Sequence, residues 1–208
     1  ARQFDEPMCD SSMIPTFLIC RLVRQYCTVA LGGDGGDELF GGYEHYSELI
    51  RRKRWFNWLP DIARKGIAIT AETLIPVGFK GRAWLQRMHP DINNKMLSNT
   101  ALFDRKTIKM LIPDLSDHEK LFKEKMVQLI SGAFCSPDIV LNRMRMDFQN
   151  YLPEDILVKV DRASMLNSLE VRAPLLDYRI IEFAFHKVPL WLKVNEKNRK
   201  ILLKKLAA

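Results

Sequence analysis

The stretch Val29-Ala-Leu-Gly-Gly-Asp-Gly-Gly-Asp-Glu-Leu-Phe-Gly-Gly-Tyr43 decides how this chain of 208 residues folds. Its first three residues end a short apolar run that begins at Cys27, which is too brief for a helix and rich in strand-forming residues. The run does not alternate between apolar and polar residues, which is typical of a strand buried on both faces, as in a parallel sheet. We therefore predict a parallel-type strand at 28–31 that leads directly into a glycine-rich loop.

The loop after this strand has the composition of a site for a phosphate-bearing ligand. Glycines at 32, 33, 35 and 36 surround Asp34, and Asp37 and Glu38 follow at once. Glycine lets the backbone approach a ligand closely, and open α/β sheets bind ligands at the carboxyl ends of their strands. Backbone N–H groups and a helix N-terminus favour an anion there, but carboxylates repel phosphate unless a divalent cation lies between them. Asp37, with Asp34 as a second candidate ligand, therefore implies Mg²⁺, which prefers oxygen ligands.

Other interpretations of the loop fit less well. The P-loop pattern GxxxxGK[ST] and the Rossmann pattern GxGxxG are both absent. The string Gly35-Gly36-Asp37-Glu38-Leu39 differs by one residue from the signature of diguanylate cyclases, which place it in a β-hairpin turn. Here the residues that follow have helical periodicity and form no returning strand. A tight structural turn with solvated acids is the remaining alternative.

The flanking segments predict a mainly helical chain with one or two short parallel strands. A helix is predicted at 13–26, with Asp10, Ser11 and Ser12 as candidate N-caps. After the loop, 38–54 is predicted to be helical with an interruption at two glycines, and proline-punctuated helices follow as far as 142. Further helices, with a Leu-Pro-Glu-Asp turn between the first two, are predicted at 144–150, 156–167, 178–185 and from 198 onward.

The composition indicates a globular protein and excludes some classes of partner. Net charge is +7, which suits polyphosphate ligands as well as nucleic acid. The densest basic cluster, at 51–54, predicts a basic helix end, and no nucleic-acid recognition motif accompanies it. No segment approaches the roughly 20 apolar residues that a bilayer span needs, and the first residues lack a signal-peptide pattern. We therefore expect a cytoplasmic protein without nucleic-acid or membrane partners.

The cysteines give no sign of a metal site or a disulfide framework. Cys9, Cys20, Cys27 and Cys135 form no CxxC pair and have no histidine at metal-ligand spacing. They are predicted to be reduced and mostly buried thiols.

Four ordered motifs resemble conserved blocks of the glutamine-hydrolysing asparagine synthetase family. The acidic loop is similar to the family block S-G-[DE]-G-x-D-E-x-[FL]-x-G-Y, and a later block matches nearly residue for residue. The matching stretches are DEP at 5–7, DSSMIP at 10–15, LGGDGGDELFGGY at 31–43, LPEDILVKVDRASM at 152–165, SLEVRAPLLD at 168–177 and KILLKK at 200–205. The resemblance implies that the chain is the C-terminal part of an α/β adenine-nucleotide-hydrolase-like synthetase domain, the ATP-pyrophosphatase part of the enzyme.

The resemblance also implies a reaction, two cofactors and a set of site residues. The family uses ATP and Mg²⁺ to convert the carboxylate of aspartate into an acyl-adenylate, which ammonia derived from glutamine then attacks. By matched position, the backbone at Gly32 and Gly33 would contact ATP, although the family usually has serine in place of Gly32. Asp34 matches an acid at the nucleotide that serves the intermediate and the ammonia step. Asp37 matches the Mg²⁺ ligand, and Lys200 matches the catalytic lysine that faces pyrophosphate.

Some of the family's machinery has no counterpart in residues 1–208. The S-G-G-x-D-S pyrophosphate loop is absent, and so is the glutaminase domain with its N-terminal nucleophilic cysteine. We therefore expect a partial synthetase domain, truncated at both ends, whose parent chain carries the glutaminase domain, with a homodimer as one option for assembly. On its own, this piece is expected to bind ATP weakly and to catalyse no reaction.

Two other functions stay open at this point. A related synthetase could adenylate a different carboxylate, as β-lactam synthetases and sugar-acid amidotransferases do. A non-catalytic assembly module is the other alternative, and intact Asp34, Asp37 and Lys200 argue against it. For Lys159, Asp161 and Arg162, the choice between substrate contact and a structural ion-pair network stays open. For Glu170, Arg172 and Asp177, structural charge pairing is the favoured interpretation over a role at the site. Tyr43 is a candidate to pack or hydrogen-bond near the acyl group.

Overall fold

The computed structural model describes residues 10–56, 58–76, 78–86, 88–89, 110–111, 136 and 138–208. The chain divides into two compact units, residues 1–47 with 144–208 and residues 48–143. The described elements are α1 (Met13–Val23), β1 (Val29–Leu31), α2 (Gly36–Phe40), α3 (Glu44–Phe56), α4 (Asp61–Leu74), α5 (Arg82–Gln86), α6 (Ile139–Met146), a π-helix (Asp147–Leu157), α7 (Val158–Met165), β2 (Glu170–Arg172), a 3₁₀ turn (Pro174–Leu176), α8 (Tyr178–His186), α9 (Leu190–Lys193) and α10 (Ile201–Ala207).

The two strands form a parallel pair in the first unit. Val29, Ala30 and Leu31 lie opposite Glu170, Val171 and Arg172 in register. The prediction of a mainly helical chain with one or two short parallel strands is therefore confirmed. Helix α7 packs against β2, and α1 packs against α7, so the helices cover the sheet from one side.

The expectation that β1 is buried on both faces is wrong for the part of the chain that is described. The side chains of Val29 and Leu31 point to the same face, and Leu31 is 75% exposed. The apolar residues Ile14, Leu18 and Leu22 of α1 are also more than half exposed. An apolar run without alternation predicts coverage on both faces, but the described chain supplies helices for one face only.

The predicted helix at 38–54 is divided into two, because Gly41 ends α2. Gly41 has φ +69°, the left-handed conformation of a helix C-cap. A Cβ on Gly41 would lie 2.9 Å from the Cβ of Val194, so the backbone packs closely there as well. The chain re-enters a helix at Glu44, and the acidic segment therefore sits on its own short helix, α2.

The predicted turn at Leu152-Pro153-Glu154-Asp155 is wrong, because these residues continue a helix. Helix α6, the π-helix and α7 follow one another without a break, and Pro153 lies inside the π-helix. Proline lacks an N–H and disrupts α-helical hydrogen bonding, which is why the sequence predicts a stop. The wider π-helix is a rare element that is often found at functional sites.

A small apolar core anchors the acidic segment. Leu39 and Phe40 of α2 pack with Ala184 and Val188. Partly buried side chains surround this cluster: Phe148, Leu175, Ile180, Ile181, Phe185, Leu192, Leu202 and Leu203. Three segments that are far apart in the chain therefore fix the orientation of α2.

Two smaller expectations concern thiols and membranes. Cys20 is buried, Cys27 is partly buried and both are free thiols, whereas Cys9 and Cys135 lie outside the described residues. Within the described ranges, no helix has the length and apolar character that a bilayer crossing requires.

Lys193 is a buried cation, and its removal is expected to stabilise the fold. Its side chain is fully buried, and its Nζ has no hydrogen-bond partner in the described part of the chain. The ring centroid of Phe185 lies 5.2 Å from Nζ. Burial, followed by the nearby charge of Arg145, lowers the pKa of Lys193 to about 8. Between that value and the ordinary lysine pKa of 10.5, the unfolded chain binds more protons, so the free energy of unfolding rises with pH.

We expect Lys193→Met to increase the free energy of unfolding at pH 7 by about 1–3 kcal/mol. The rise in stability between pH 8 and pH 10 should shrink in the variant, because the titrating amine is gone. Urea denaturation at several pH values measures both effects, with exposed Lys187→Met as the charge-matched control. A less stable Lys193→Met variant at pH 7 would contradict the expectation.

Candidate functional site

The acidic turn, residues 32–38, is held in place by backbone contacts at the carboxyl end of β1. The Gly32 N–H donates to the Arg172 carbonyl oxygen at 2.7 Å, which extends the parallel pairing into the turn. Gly35 has φ +83° and precedes α2. A Cβ on Gly35 would lie 2.2 Å from Cδ2 of Leu176, so this position needs glycine for both its backbone conformation and its packing.

Asp37 and Lys200 come together at this turn. The Nζ of Lys200 lies 3.0 Å from Oδ1 of Asp37, and both side chains are about one-third exposed, 34% and 36%. Lys200 has φ 52° and ψ 40° at the residue before α10. A non-glycine residue in this left-handed region costs about 1–2 kcal/mol. This strained residue is the one whose side chain reaches the acidic turn.

Glycine at position 42 leaves the space that this ion pair occupies. The Gly42 N–H donates to the Asp37 carbonyl oxygen at 2.9 Å. A Cβ on Gly42 would lie 1.8 Å from Oδ1 of Asp37 and 2.4 Å from Cε of Lys200. Gly41 therefore ends α2, and Gly42 leaves room for the ion pair between Asp37 and Lys200.

Glu38 is buried beside the pair and is bound by Tyr43. Glu38 is 1% exposed, and the Tyr43 hydroxyl donates to its Oε1 at 2.5 Å. Burial raises the pKa of Glu38 although the bond from Tyr43 opposes the rise. The Tyr43 ring stacks on His45 and meets the edge of Tyr151. Tyr43, whose role the sequence leaves open, thus binds Glu38, the last residue of the acidic turn.

We expect Tyr43→Phe to destabilise the protein by about 1–3 kcal/mol, because it leaves a buried carboxyl group without its donor. A carboxyl group with a raised folded pKa stabilises the fold below its unfolded pKa of 4.5 and loses that contribution as pH rises. The effect of Tyr43→Phe should therefore be larger at pH 7 than at pH 5. Urea denaturation at both pH values tests this, with the 82% exposed Tyr26 giving Tyr26→Phe as control. Equal stability of the Tyr43→Phe variant and the parent at pH 7 would contradict the expectation.

A second buried acid ties α3 to the start of the π-helix. The carboxylate of Asp147 is bonded through Oδ2 by the Tyr46 hydroxyl at 2.8 Å and by His45 Nε2 at 2.9 Å. The sequence does not predict the contact between His45 and Asp147, because the two residues are far apart in the chain. The arrangement fixes the π-helix beside the acidic turn.

Lys159 forms the third group of polar contacts near the turn. Its Nζ lies 2.5 Å from Oδ2 of Asp10 and 2.7 Å from Oγ of Ser12. Asp34 is half-buried, and burial raises its pKa while the charge of Lys159 opposes the rise. Burial and Asp10 likewise raise the pKa of Asp155, and Lys159 again opposes the rise. The structure thus brings Lys159 into the electrostatic environment of Asp34.

The chain matches the family profile described as asparagine synthase over residues 1–208. The chain belongs to the asparagine synthase family. It is 32% identical over 209 residues to "Asparagine synthetase [glutamine-hydrolyzing] 1" of Bacillus subtilis (strain 168), with 98% of the chain and 32% of the relative covered. It is 31% identical over 202 residues to "Putative asparagine synthetase [glutamine-hydrolyzing]" of Mycobacterium bovis, with 97% of the chain and 30% of the relative covered.

A more distant relative is "Putative asparagine synthetase [glutamine-hydrolyzing] 2" of Methanocaldococcus jannaschii. It is 29% identical over 166 residues, which cover 78% of the chain and 30% of the relative. The chain spans less than a third of the length of the first two relatives, 32% and 30%. No solved structure matches the chain significantly.

Several further residues that the family resemblance singles out make side-chain contacts of their own. Glu170 and Arg172 form an exposed pair, with Arg172 Nε 2.7 Å from Glu170 Oε1. Asp177 caps α8 by accepting a hydrogen bond from the Arg179 N–H at 2.9 Å. Glu170 and Arg172 thus pair with each other, and Asp177 caps a helix, as the structural interpretation of these residues predicts. Asp161 lies in the first turn of α7.

The turn of this asparagine synthase family chain is suited to a metal that is shared with a ligand. In the described ranges, no group of three or more His, Cys, Asp or Glu side chains could hold a metal ion. Mg²⁺ is commonly held by one or two carboxylates with phosphate oxygens and water completing its shell. Asp37, partly exposed beside Lys200, fits that donor set. Gly33 has open space around it, whereas the N–H of Gly32 is already engaged, so Gly32 has only its carbonyl and Cα to offer a ligand.

Proposed function

We propose that this chain supplies the acidic turn and the lysine of the ATP site in a synthetase that converts aspartate to asparagine. The reaction would proceed through a β-aspartyl-adenylate, with ammonia from glutamine as the nitrogen donor. The observation that carries the proposal is the 3.0 Å contact between Asp37 and Lys200 at the carboxyl end of a parallel strand. Ligands of open α/β sheets bind at this edge.

The charges at the turn suit a metal–polyphosphate ligand. Asp37 would hold Mg²⁺, which would neutralise phosphate charge, and Gly33 would let the backbone approach the nucleotide. Lys200 would then face the departing pyrophosphate, where a positive charge stabilises the negative charge that develops. In the described structure Lys200 is paired directly with Asp37, so this contact would have to open for the metal and the phosphates to bind.

Asp34 is the proposed proton acceptor for the ammonia step. Burial raises its pKa above the ordinary value of 3.8, and a base is more effective when its pKa moves toward the working pH. The charge of Lys159 opposes that rise in the pKa of Asp34. A half-buried carboxylate in the nucleotide turn is suited to accept a proton from an incoming ammonium ion, which would leave neutral ammonia to attack the acyl carbon and displace AMP.

The remaining phosphate contacts and the glutaminase would come from sequence outside residues 1–208. The relatives whose names include glutamine hydrolysis are about three times as long, since 32% and 30% of their lengths are matched. We infer a parent protein in which a glutaminase domain delivers ammonia to this site. ATP and aspartate as substrates suit a cytoplasmic enzyme.

The test is pyrophosphate release by the complete synthetase with glutamine, Mg·ATP and a series of carboxylic acids. The proposal expects release that depends on aspartate and on Mg²⁺. Release with a β-amino acid or sugar acid and not with aspartate would instead favour a related synthetase. Binding of Mg·ATP without release for any acid would favour an assembly module.

A further inference from the structure

Gly32, at the start of the acidic turn, is a glycine that its own backbone does not require. Gly35 has a positive φ, but Gly32 does not, so an L side chain fits the backbone conformation at position 32. The Gly32 N–H donates to the Arg172 carbonyl oxygen at 2.7 Å, a bond that every residue except proline can make. The physical reason for glycine here therefore lies in the space beside its Cα.

The space that a side chain at position 32 would fill holds the carboxylate of Asp34. A Cβ built on Gly32 would lie 2.6 Å from Oδ2 of Asp34 and 3.1 Å from Cγ1 of Val171. The first distance is well below the roughly 3.5–4.0 Å of a non-bonded contact. Val171 lies in β2, opposite Ala30 of β1. The Asp34 carboxylate is therefore packed against the carboxyl end of β1, beside β2, in the space that glycine leaves free.

We propose that Gly32 is a positioning residue of the site, because the absence of its side chain lets the Asp34 carboxylate lie at the edge where parallel sheets bind ligands. The inference rests on the proposed function and deepens it, since Asp34 is the proton acceptor there. A general base must lie within hydrogen-bond reach of the proton that it removes, so a small displacement of the carboxylate slows the reaction. Gly32 acts in this step through Asp34.

A side chain at position 32 is expected to displace the Asp34 carboxylate without disrupting the fold. Oδ2 is the end of a short side chain that can rotate away, and the contact with Val171 needs a shift of only a few tenths of an ångström. Position 35 differs, because a Cβ there would lie 2.2 Å from Cδ2 of Leu176 and φ is +83°. Gly32→Ala also lowers the entropy of the unfolded chain, which favours folding. The change therefore moves the carboxylate and leaves the backbone of the turn in place.

The experiment measures asparagine formation from aspartate, Mg·ATP and ammonium by the complete synthetase at pH 7. Gly32→Ala is expected to lower the rate about tenfold or more, as a fraction of the roughly 10²–10⁴-fold that a general base contributes. Hydroxylamine is already neutral at pH 7 and needs no proton removed before it attacks, so with hydroxylamine the variant should approach the parental rate. In Asp34→Asn, adding Gly32→Ala should cause little further loss with ammonium, because both changes act through one carboxylate.

The control is Gly66→Ala in α4, whose Cβ would meet nothing within 4 Å and which should keep the parental rate with both nucleophiles. A parental rate of Gly32→Ala with ammonium would overturn the inference, and so would an equal loss with hydroxylamine. A parent enzyme that forms no asparagine would instead count against the proposed function.

Urea denaturation of the full chain without nucleotide tests the contact itself, independently of the proposed function. Gly32→Ala should be better tolerated in Asp34→Ala, where the carboxylate is absent, than in the parent. Gly33→Ala, whose Cβ would meet nothing within 4 Å beyond its chain neighbours, should have the same effect in both backgrounds. If Gly32→Ala alone does not fold, Asp34→Ala should restore folding. Equal effects of Gly32→Ala in both backgrounds, or a double variant that stays unfolded, would contradict the contact.

Discussion

Replacing Asp37 with asparagine is expected to lower pyrophosphate release by the complete synthetase by about 10²–10³-fold. The amide keeps the shape of the side chain but removes the negative charge that would hold Mg²⁺ and balance Lys200. Without the cation, the carboxylates of the acidic turn would repel the phosphates. The loss should appear as weaker Mg·ATP binding as well as slower turnover, and calorimetry together with a pyrophosphate assay measures the two effects.

The fold should survive the Asp37→Asn change. The ion pair with Lys200 is about one-third exposed, and such pairs contribute about 0–1 kcal/mol. Asp61→Asn, an equal charge change at an exposed position of α4 in the other unit, is the matched control and should retain parental activity. Full activity of the Asp37→Asn enzyme at limiting Mg²⁺ would show that Asp37 does not bind the metal.

Gly42→Ala is expected to be nearly as damaging as Asp37→Asn, although it adds only a methyl group. That methyl carbon would lie 1.8 Å from Oδ1 of Asp37 and 2.4 Å from Cε of Lys200. Both side chains would have to move, so the charges on which the proposed chemistry depends would separate. We expect at least about a 10²-fold loss of pyrophosphate release, as for the loss of one stabilising group, and about 1–3 kcal/mol of destabilisation from overpacking.

The matched control for Gly42→Ala is Gly66→Ala in α4. A Cβ on Gly66 meets nothing within 4 Å, and alanine is favoured over glycine in a helix by about 0.5–1 kcal/mol. Gly66→Ala should therefore keep its activity and gain slightly in stability. Parental activity of Gly42→Ala would show that the contact between Asp37 and Lys200 is not needed for turnover.

The parts of the fold that follow from local rules are the parts that the sequence predicts. Strand β1 and the acidic turn are read from an apolar run and a glycine cluster. Strand β2 is missed, because its only apolar residue is Val171 between Glu170 and Arg172, and three residues do not establish an alternation. The π-helix is missed because Pro153 is a strong local signal against an α-helix.

The same division applies to the site. Asp37 and Lys200 are found from motifs, because each lies in a segment with a characteristic order of residues. The bond from Tyr43 to Glu38 and the pair between Lys159 and Asp10 are not predictable in that way. Lys159 and Asp10 are brought together by the packing of α1 on α7, and no spacing rule connects positions so far apart in the chain. For these four residues the sequence gives the residue types but not their contacts.

The most direct test of the central claim is an NMR measurement on the full chain with Mn²⁺ and pyrophosphate. If Asp37 and Lys200 bind a metal–polyphosphate ligand together, the paramagnetic ion should broaden the amide signals of the acidic turn and the signals of Lys200 in parallel. The broadening should disappear in Asp37→Asn and persist in Asp61→Asn. Broadening of the turn that leaves Lys200 unaffected, or equal broadening in Asp37→Asn, would contradict the account.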